Sequence, residues 1–265
     1  MTRESGSLTL VGTGLRIAGQ VTAEAKSAIE DAEKLFHLVQ DVVTHRWLER
    51  LNPSAESLAD CYAPGRPRAA SYEAMVERML APVRAGRSVC AAFYGHPGVF
   101  VQPAHEAIRR ARAGGYEAVM LPGVSAEDCL IADLGFDPGE RGCQSFEATD
   151  FLVRHRRHDP ASALLLWQIG GIGVADFRPG AFWNARGVEI LSRTLARTYG
   201  ADHEVVVYEA SPYPIAEPLL HRCSIAALAA APITLGSTLY VPPLADRPAD
   251  EALRAELAAG ARAAP

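Results

Sequence analysis

The stretch FYGHPGVF, residues 93–100, joins a predicted buried strand to a predicted helix. Residues 88–94 before it form a short apolar run, typical of a strand inside a parallel sheet. Residues 102–112 after it carry helix signals, with a proline in the first turn and a glycine pair past the end. The turn at residues 95–98 therefore lies at the carboxyl end of a strand, where open α/β sheets bind ligands.

A second glycine-bearing turn, LPGVSAED at residues 121–128, follows another predicted strand at residues 117–121. Ser125 is a typical N-cap for the helix that begins after it. Because both turns then lie at the carboxyl edge of one sheet, together they predict a shared site. Taken singly, each is equally typical of an ordinary strand-to-helix connection.

Composition restricts the classes of protein and partner. With 265 residues, 49% hydrophobic and 22% charged, the chain has the balance of a globular protein of one large or two modest domains. A net charge of −5 gives no reason to expect nucleic acid as a partner. The five cysteines include no CxxC pair, so we predict no disulfide framework and a reducing, cytoplasmic location. With no signal peptide and no apolar run of ~20 residues, no membrane partner is expected.

Strand and helix signals alternate along the chain, which predicts an α/β fold with largely parallel sheets. Residues 41–60 are expected to be irregular, and residues 134–160 to form a long connection or exposed arm. We predict two α/β domains with a cleft between them, residues 1–155 and residues 156–265. The other predicted strands are residues 7–11, 35–39, 163–169, 204–209 and 237–241, and the other predicted helices begin at Thr22 and Ser71 or span residues 187–199, 224–230 and 249–259.

Two short motifs suggest other chemistry but lack the spacing that it requires. Gly12 and Gly14 resemble the start of a dinucleotide fingerprint, but its third glycine would fall at Ile17, which argues against a dehydrogenase and favours a tight turn at the strand end. His155 and His158 lie three residues apart among arginines with no third ligand nearby. A solvated basic face is favoured there, and no metal is expected.

Tyr62, Arg66, Arg68 and Tyr72 lie on or beside one loop that contains two prolines and a glycine. Such a set can donate hydrogen bonds to an oxyanion. From the residues alone, a solvated basic loop with two surface tyrosines is the favoured alternative. Gln168, at the end of an apolar strand, needs a hydrogen-bond partner if it is buried.

Four motifs in order resemble the S-adenosylmethionine-dependent methyltransferases of the tetrapyrrole methylase type, and more narrowly the borosin peptide backbone N-methyltransferases. The likeness runs from residue 7 to residue 243, with the tyrosine loop in the corresponding place. It implies two α/β domains with the methyl donor in the cleft between them. The motifs are FYGHPGVF, LPGVSAED, WQIGGIGVADF at residues 167–177 and GSTLYVPP at residues 236–243.

The resemblance further implies S-adenosylmethionine as cofactor, S-adenosylhomocysteine as product and backbone amides of a ribosomal precursor peptide as substrate. The two turns and Gln168 also lie at strand ends by the pattern of the residues alone, whereas no such pattern distinguishes Ala210 from its neighbours. The implied donor contacts are Tyr94, His96, Val99, Ser125, Ala126, Gln168, Ala210, Ser237 and Thr238.

Amide methylation makes demands that the tyrosine loop can meet. The amide nitrogen is a poor nucleophile because its lone pair is delocalised into the carbonyl. Its proton must leave while negative charge develops on the carbonyl oxygen, so positioned donors are expected there. By resemblance, Tyr72 is the leading base and Arg68 its electrostatic partner, since a neighbouring arginine favours a phenolate. Tyr62 and Tyr94 would position the amide and stabilise charge.

Two departures from the family pattern bear on the substrate. Ala59 stands where self-methylating relatives carry another tyrosine, and the chain ends at Pro265 without their helical clasp and substrate segment. We therefore expect a separate precursor peptide, and a homodimer as in the family. The runner-up is a methyltransferase of the same fold that acts on a small molecule, such as a tetrapyrrole or cobalamin precursor. A peptide-binding module without activity is a third alternative.

Overall fold

The computed structural model describes residues 6–39, 41–176, 183–245 and 247–261, which form two five-stranded sheets covered by helices. The α/β fold class is thereby confirmed. Phe177, which ends the WQIGGIGVADF motif, lies outside the described residues, as do the chain ends at 1–5 and 262–265. The strands are β1 Ser7–Gly12, β2 Lys34–Leu38, β3 Glu56–Ser57, β4 Ser88–Phe93, β5 Glu117–Met120, β6 Cys143–Glu147, β7 Ala163–Trp167, β8 Glu204–Glu209, β9 Leu219–Ser224 and β10 Thr238–Val241. The helices are α1 Ala23–Asp31, α2 Val42–Leu51, α3 Arg68–Arg84, α4 Gln102–Ala113, α5 Ala126–Leu134, α6 Pro138–Arg141, α7 Ala148–Val153, α8 Ala185–Tyr199 and α9 Glu251–Ala261.

The first sheet is parallel throughout, with the strand order β3-β2-β4-β1-β5. Residues from α3 and α4 cover one face, and residues from α1 and α2 cover the other. This double cover explains why β4 is a continuous apolar run rather than an alternating one. Because all five strands run the same way, their carboxyl ends meet at one edge of the sheet.

The second sheet has the order β6-β7-β10-β8-β9, and only the β6–β7 pair is parallel. The expectation of largely parallel sheets is therefore wrong for this half of the chain. A loop of only nine residues, 210–218, separates β8 from β9, and a connection of that length joins antiparallel neighbours. The core on one side of the sheet is built on α8, whose Val188, Leu191 and Leu195 are buried.

Several local expectations are corrected. Residues 41–60 hold α2, capped by the Asp41 carboxylate, which accepts a hydrogen bond from the Thr44 N–H. Residues 134–160 hold α6, β6 and α7 rather than a bare connection. Helix α3 begins at Arg68, three residues before the predicted start at Ser71. The strand β9 was not predicted, and the helix expected at residues 224–230 is a 3₁₀ helix, Ile225–Ala230.

The chain passes from the first sheet to the second between β5 and β6, with α5 in that interval. Helix α5 packs on the second sheet, since Cys129 and Leu130 share a cluster with Leu165 and Trp167. The division at residues 155 and 156 stays a prediction. Within the described ranges, no helix is long and apolar enough to cross a membrane.

Candidate functional site

The turns that follow β1, β4 and β5 touch one another through glycine backbone. Gly95 N–H donates to Gly14 O at 2.8 Å, and Gly14 N–H donates to Gly95 O at 3.3 Å. A Cβ added at Gly12 would lie 2.2 Å from Gly95 O, and one at Gly123 would lie 3.3 Å from Gly12 Cα. Side chains at Gly12 are therefore excluded, and the structure brings the two predicted turns to one edge.

The turn after β4 is fixed at Gly98. Its N–H donates to His96 Nδ1 at 2.9 Å, and its carbonyl accepts from His105 Nε2 at 2.7 Å. A Cβ at Gly98 would lie 2.7 Å from the Met120 sulfur. His96 therefore carries its ring hydrogen on Nε2, the nitrogen that this turn leaves for a ligand. Val99, also a predicted donor contact, is 37% exposed.

The turn after β5 ends in a capping box. The Ser125 hydroxyl donates to Asp128 Oδ2 at 2.6 Å and accepts from the Asp128 N–H at 3.2 Å. The Ser125 N–H donates to the same carboxylate at 2.6 Å. The N-cap prediction is confirmed, and the box orients the first turn of α5, where Ala126 is half-buried.

The four predicted contacts from the second half, Gln168, Ala210, Ser237 and Thr238, lie at one edge of the second sheet. Because β10 is antiparallel to β7 and β8, its start meets their ends. The Ile169 N–H donates to Ser237 O at 3.1 Å, and the Ser237 hydroxyl accepts from a backbone N–H at 2.9 Å. Ser237 and Thr238 are buried, at 0% and 3% exposure, whereas Gln168 is half-buried.

The predicted catalytic residues Tyr62, Tyr72, Tyr94 and Arg68 form one electrostatic cluster. The rings of Tyr62 and Tyr72 meet edge to face, with centroids 6.4 Å apart. Burial, the neighbouring Tyr72 and Tyr94, and a hydrogen bond with Tyr72 raise the pKa of Tyr62, while the Arg68 charge opposes this rise. The raised pKa of Tyr62 means that its surroundings favour the protonated phenol.

Hydrogen bonds tie the loop before α3 to neighbouring backbone. The Arg66 guanidinium donates to Cys61 O and Ala70 O, both at 3.3 Å, and so ties the loop across its base. The Arg68 N–H donates to Ala175 O at 3.3 Å, which anchors the loop on the second half of the chain. Pro64, Gly65 and Pro67 of this loop are exposed, whereas Arg66 has a structural role.

An open groove of about 420 Å³ lies between the two halves. It brings Tyr72 of α3 together with Gln168 of the second sheet. Sequence reasoning missed Phe100 and His105, which line it too, although Phe100 closes the FYGHPGVF motif. Tyr94 lines a separate, smaller cavity of about 60 Å³ beside the turn after β1. The groove is lined by Tyr72, Gly98, Phe100, Val101, Gln102, His105 and Gln168.

Ala126 and Ala210 pack on the same apolar cluster, which joins the start of α5 to the residue after β8. Among the described residues, no group of three His, Cys, Asp or Glu side chains could hold a metal ion. His155 and His158 are not a basic-face pair, because His158 stacks on Tyr199 with ring centroids 5.7 Å apart.

A family profile for tetrapyrrole (corrin/porphyrin) methylases matches residues 7–218. The chain belongs to this family. Within it, 44% of 263 aligned residues are identical to a methyltransferase and gymnopeptides precursor of Gymnopus fusipes, over 97% of this chain and 62% of that protein. A methyltransferase and omphalotin A precursor of Omphalotus olearius is 44% identical over 91% of this chain and 59% of its own length. A type I borosin precursor of Coprinopsis marcescibilis is 42% identical over 91% and 63%.

These relatives confirm the resemblance to borosin methyltransferases. This tetrapyrrole methylase chain spans about three fifths of the length of each of them. A crystal structure of uroporphyrin-III-C-methyltransferase from Thermus thermophilus has the same fold, with a TM-score of 0.64 at 19% identity, over 91% of this chain and 93% of that one.

Proposed function

We propose that this chain transfers methyl groups from S-adenosylmethionine to backbone amide nitrogens of a ribosomal precursor peptide, supplied as a separate polypeptide. The observation that carries the proposal is the cluster of Tyr62, Tyr72, Tyr94 and Arg68 beside the joined edges of two sheets. The identity of about 44% to methyltransferases that are also cyclic-peptide precursors supports a peptide substrate.

The donor would be held between the two edges. When bound, S-adenosylmethionine supplies an electrophilic methyl group. The turn after β4 offers His96 Nε2 and the backbone around Val99, and the turn after β5 offers the start of α5 at Ser125 and Ala126. The remaining contacts from this chain would be Tyr94, Gln168, Ala210, Ser237 and Thr238.

Tyr72 is the better placed of the two contacting tyrosines to accept the amide proton. It lines the open groove in which a peptide has room to lie, and its ring contacts that of Tyr62 edge to face. For the step to balance, Tyr72 would act as a phenolate, so that the amide N–H bond breaks and its proton passes to the Tyr72 oxygen. The electron pair left on the amide nitrogen would then form the N–CH₃ bond as the S–CH₃ bond of the donor held between the two edges breaks.

Tyr62 and Arg68 would stabilise the negative charge that develops on the amide oxygen. Burial and neighbouring tyrosines raise the pKa of Tyr62, so it remains a hydrogen-bond donor at neutral pH. Arg68 lies four residues before Tyr72 on α3, on the same helix face, and its guanidinium is permanently charged. A protonated phenol and a cation at this position stabilise negative charge on the amide oxygen.

Fragment mass spectrometry of a co-expressed small peptide tests the proposal. Mass gains in steps of one methyl group, localised to backbone amides of the separate peptide, are expected. Tyr72→Phe should retain donor binding by calorimetry and lose methyl transfer by at least a hundredfold, the usual contribution of a general base. Tyr116→Phe is the matched control, because Tyr116 packs on the core of the first sheet outside the groove.

Other outcomes would redirect the proposal. Full turnover by Tyr72→Phe would exclude that tyrosine as the base. Donor binding without methylated peptide would favour a small-molecule acceptor, such as a tetrapyrrole precursor, or a module that only binds peptide. A homodimer is part of the proposal, and light scattering of the purified chain tests it.

A further inference from the structure

Backbone strain is concentrated at the groove. Within the part of the chain that the structure describes, the non-glycine residues with positive φ are Ala18, Phe100, His155 and Gln168. Two of these, Phe100 at φ 56° and Gln168 at φ 59°, line the groove beside Tyr72. A left-handed conformation is unfavourable for a bulky residue, and such strain clusters at functional sites.

Phe100 is held in this strained position by fixed neighbours. His96 binds the backbone N–H of Gly98 and His105 binds its carbonyl, two residues before Phe100. The Phe100 ring packs on Trp167 with centroids 5.7 Å apart, and Trp167 is itself anchored by its Nε1–H, which donates to Ser145 Oγ at 2.6 Å. The ring nevertheless remains 48% exposed, so about half of its surface is left uncovered by Trp167 and its other neighbours.

The groove around Phe100 suits apolar rather than charged side chains. None of its lining residues, all within the described ranges, is an acid, a lysine or an arginine. Phe100, Val101 and Tyr72 supply apolar surface, while Gln102 and Gln168 supply neutral polar groups. The imidazole of the lining residue His105 has its Nε2 paired with Gly98 O at 2.7 Å, so a charged peptide side chain would lose hydration here without gaining a carboxylate, lysine or arginine partner from the lining.

We propose that Phe100 is a specificity-determining residue that selects an apolar side chain on the peptide residue whose amide nitrogen is methylated. The inference rests on the proposed function. The nitrogen and the Cα of a residue are only ~1.46 Å apart, so an amide presented to Tyr72 brings its own side chain to the groove wall. Phe100 is the large exposed apolar group on that wall.

Binding of two matched peptides tests this selection. One is a soluble Gly/Ser peptide with a central Val-Ile-Val block, and the other has Gly-Ala-Gly in that block. Fluorescence anisotropy is measured with S-adenosylhomocysteine present to prevent turnover. The wild-type chain should bind the Val-Ile-Val peptide at least about tenfold more tightly than the Gly-Ala-Gly peptide, which is the gain in affinity expected from placing one apolar side chain in a pocket. Phe100→Gly should reduce the preference to about twofold or less, while Phe100→Leu should keep most of it.

Controls separate recognition from folding. Phe100→Gly relieves the left-handed strain, so its Tm should stay near or above that of wild type. Ile215→Gly removes an apolar side chain that is 99% exposed and outside the groove, and it should leave the preference unchanged. An unchanged preference in Phe100→Gly, or equal or undetectable binding of both peptides by wild type, would overturn the inference.

Mass spectrometry of the same peptides with S-adenosylmethionine tests the proposed function separately. Preferential binding without methyl gain would leave the role of Phe100 in recognition standing and refute the catalytic proposal. Methyl gain on both peptides at equal rates, without a binding preference, would leave the catalytic proposal standing and refute the role of Phe100.

Discussion

Two adjacent glycines after β7 provide a matched pair of substitutions. A Cβ at Gly170 would lie 2.1 Å from Thr234 O, whereas a Cβ at Gly171 has its nearest neighbour, Leu235 Cδ2, at 3.9 Å. Gly170 and Gly171 both lie in the described part of the chain and neither has a positive φ, so left-handed backbone strain does not distinguish the two substitutions. Gly170→Ala must push the segment before β10 away by about 1 Å, because a carbon–oxygen contact needs roughly 3.3 Å.

The expected loss in Gly170→Ala follows from overpacking and from a displaced hydrogen bond. Overpacking a well-filled site costs about 1–3 kcal/mol, and the Gly170 carbonyl also accepts from the Asn184 N–H at 2.8 Å, a bond of about 1 kcal/mol. A total of about 2–4 kcal/mol lowers Tm by about 4–16 °C in a chain of this size. Gly171→Ala should be neutral or stabilise by up to about 1 kcal/mol, since alanine restricts the unfolded chain.

Thermal unfolding and calorimetric titration with S-adenosylhomocysteine measure both consequences. Because Gly170 fixes the spacing between Gln168 and Ser237, Gly170→Ala should also weaken donor binding, and Gly171→Ala should not. Equal Tm values for the two variants would refute the reasoning from Cβ contacts. A destabilised Gly170→Ala with unchanged donor binding would refute the placement of the donor at this edge.

Three other expectations concern stability and its pH dependence. Burial, and secondarily the charge of His45, lowers the pKa of His37 from 6.5 to about 4. Because the folded protein favours the neutral imidazole, the resulting stability is fully present above pH 6.5 and is lost as the pH falls to about 4. At ~1.4 kcal/mol per pH unit, at most about 3.5 kcal/mol of stability depends on this group, and His37→Asn should flatten the fall of Tm between pH 7 and 4.5. Asp128→Ala breaks the capping box and should lower the free energy of unfolding by about 1 kcal/mol in urea, while Asp128→Asn, which still accepts a hydrogen bond, should lose less. Arg66→Ala should lower the protection of the loop before α3 in hydrogen exchange and leave the exchange of α8 unchanged, and a uniform effect would contradict a local tie.

The sequence predicted the site edges well because their signals are local. An apolar run, a glycine turn and a capped helix follow one another within about a dozen residues at residues 88–102, and the same pattern repeats around Ser125. Gln168 was correctly placed at a strand end for the same reason. Such signals fix where a turn lies, but not what it faces.

The failures have equally specific causes. Helix α2 begins with Val42 and Val43, which are β-branched and 72% and 54% exposed, and so its first turn lacks an inward apolar residue. The apolar side that packs on the core, Trp47, Leu48 and Leu51, lies in its later turns. Strand β9 lies at a sheet edge and carries His221 and Arg222. The left-handed φ at the groove depends on contacts between distant segments, which no local pattern encodes.

The place of β1 at the interior of the first sheet has a consequence for synthesis. This strand is synthesised before its partners β4 and β5, and the Thr13 hydroxyl at its end contacts Phe93 O across 80 residues of sequence. At roughly 5–20 residues per second, the strand waits several seconds before its neighbours exist. During that interval its unpaired edges are open to other nascent chains, so slower translation should increase aggregation during expression and a chaperone that covers β1 should reduce it.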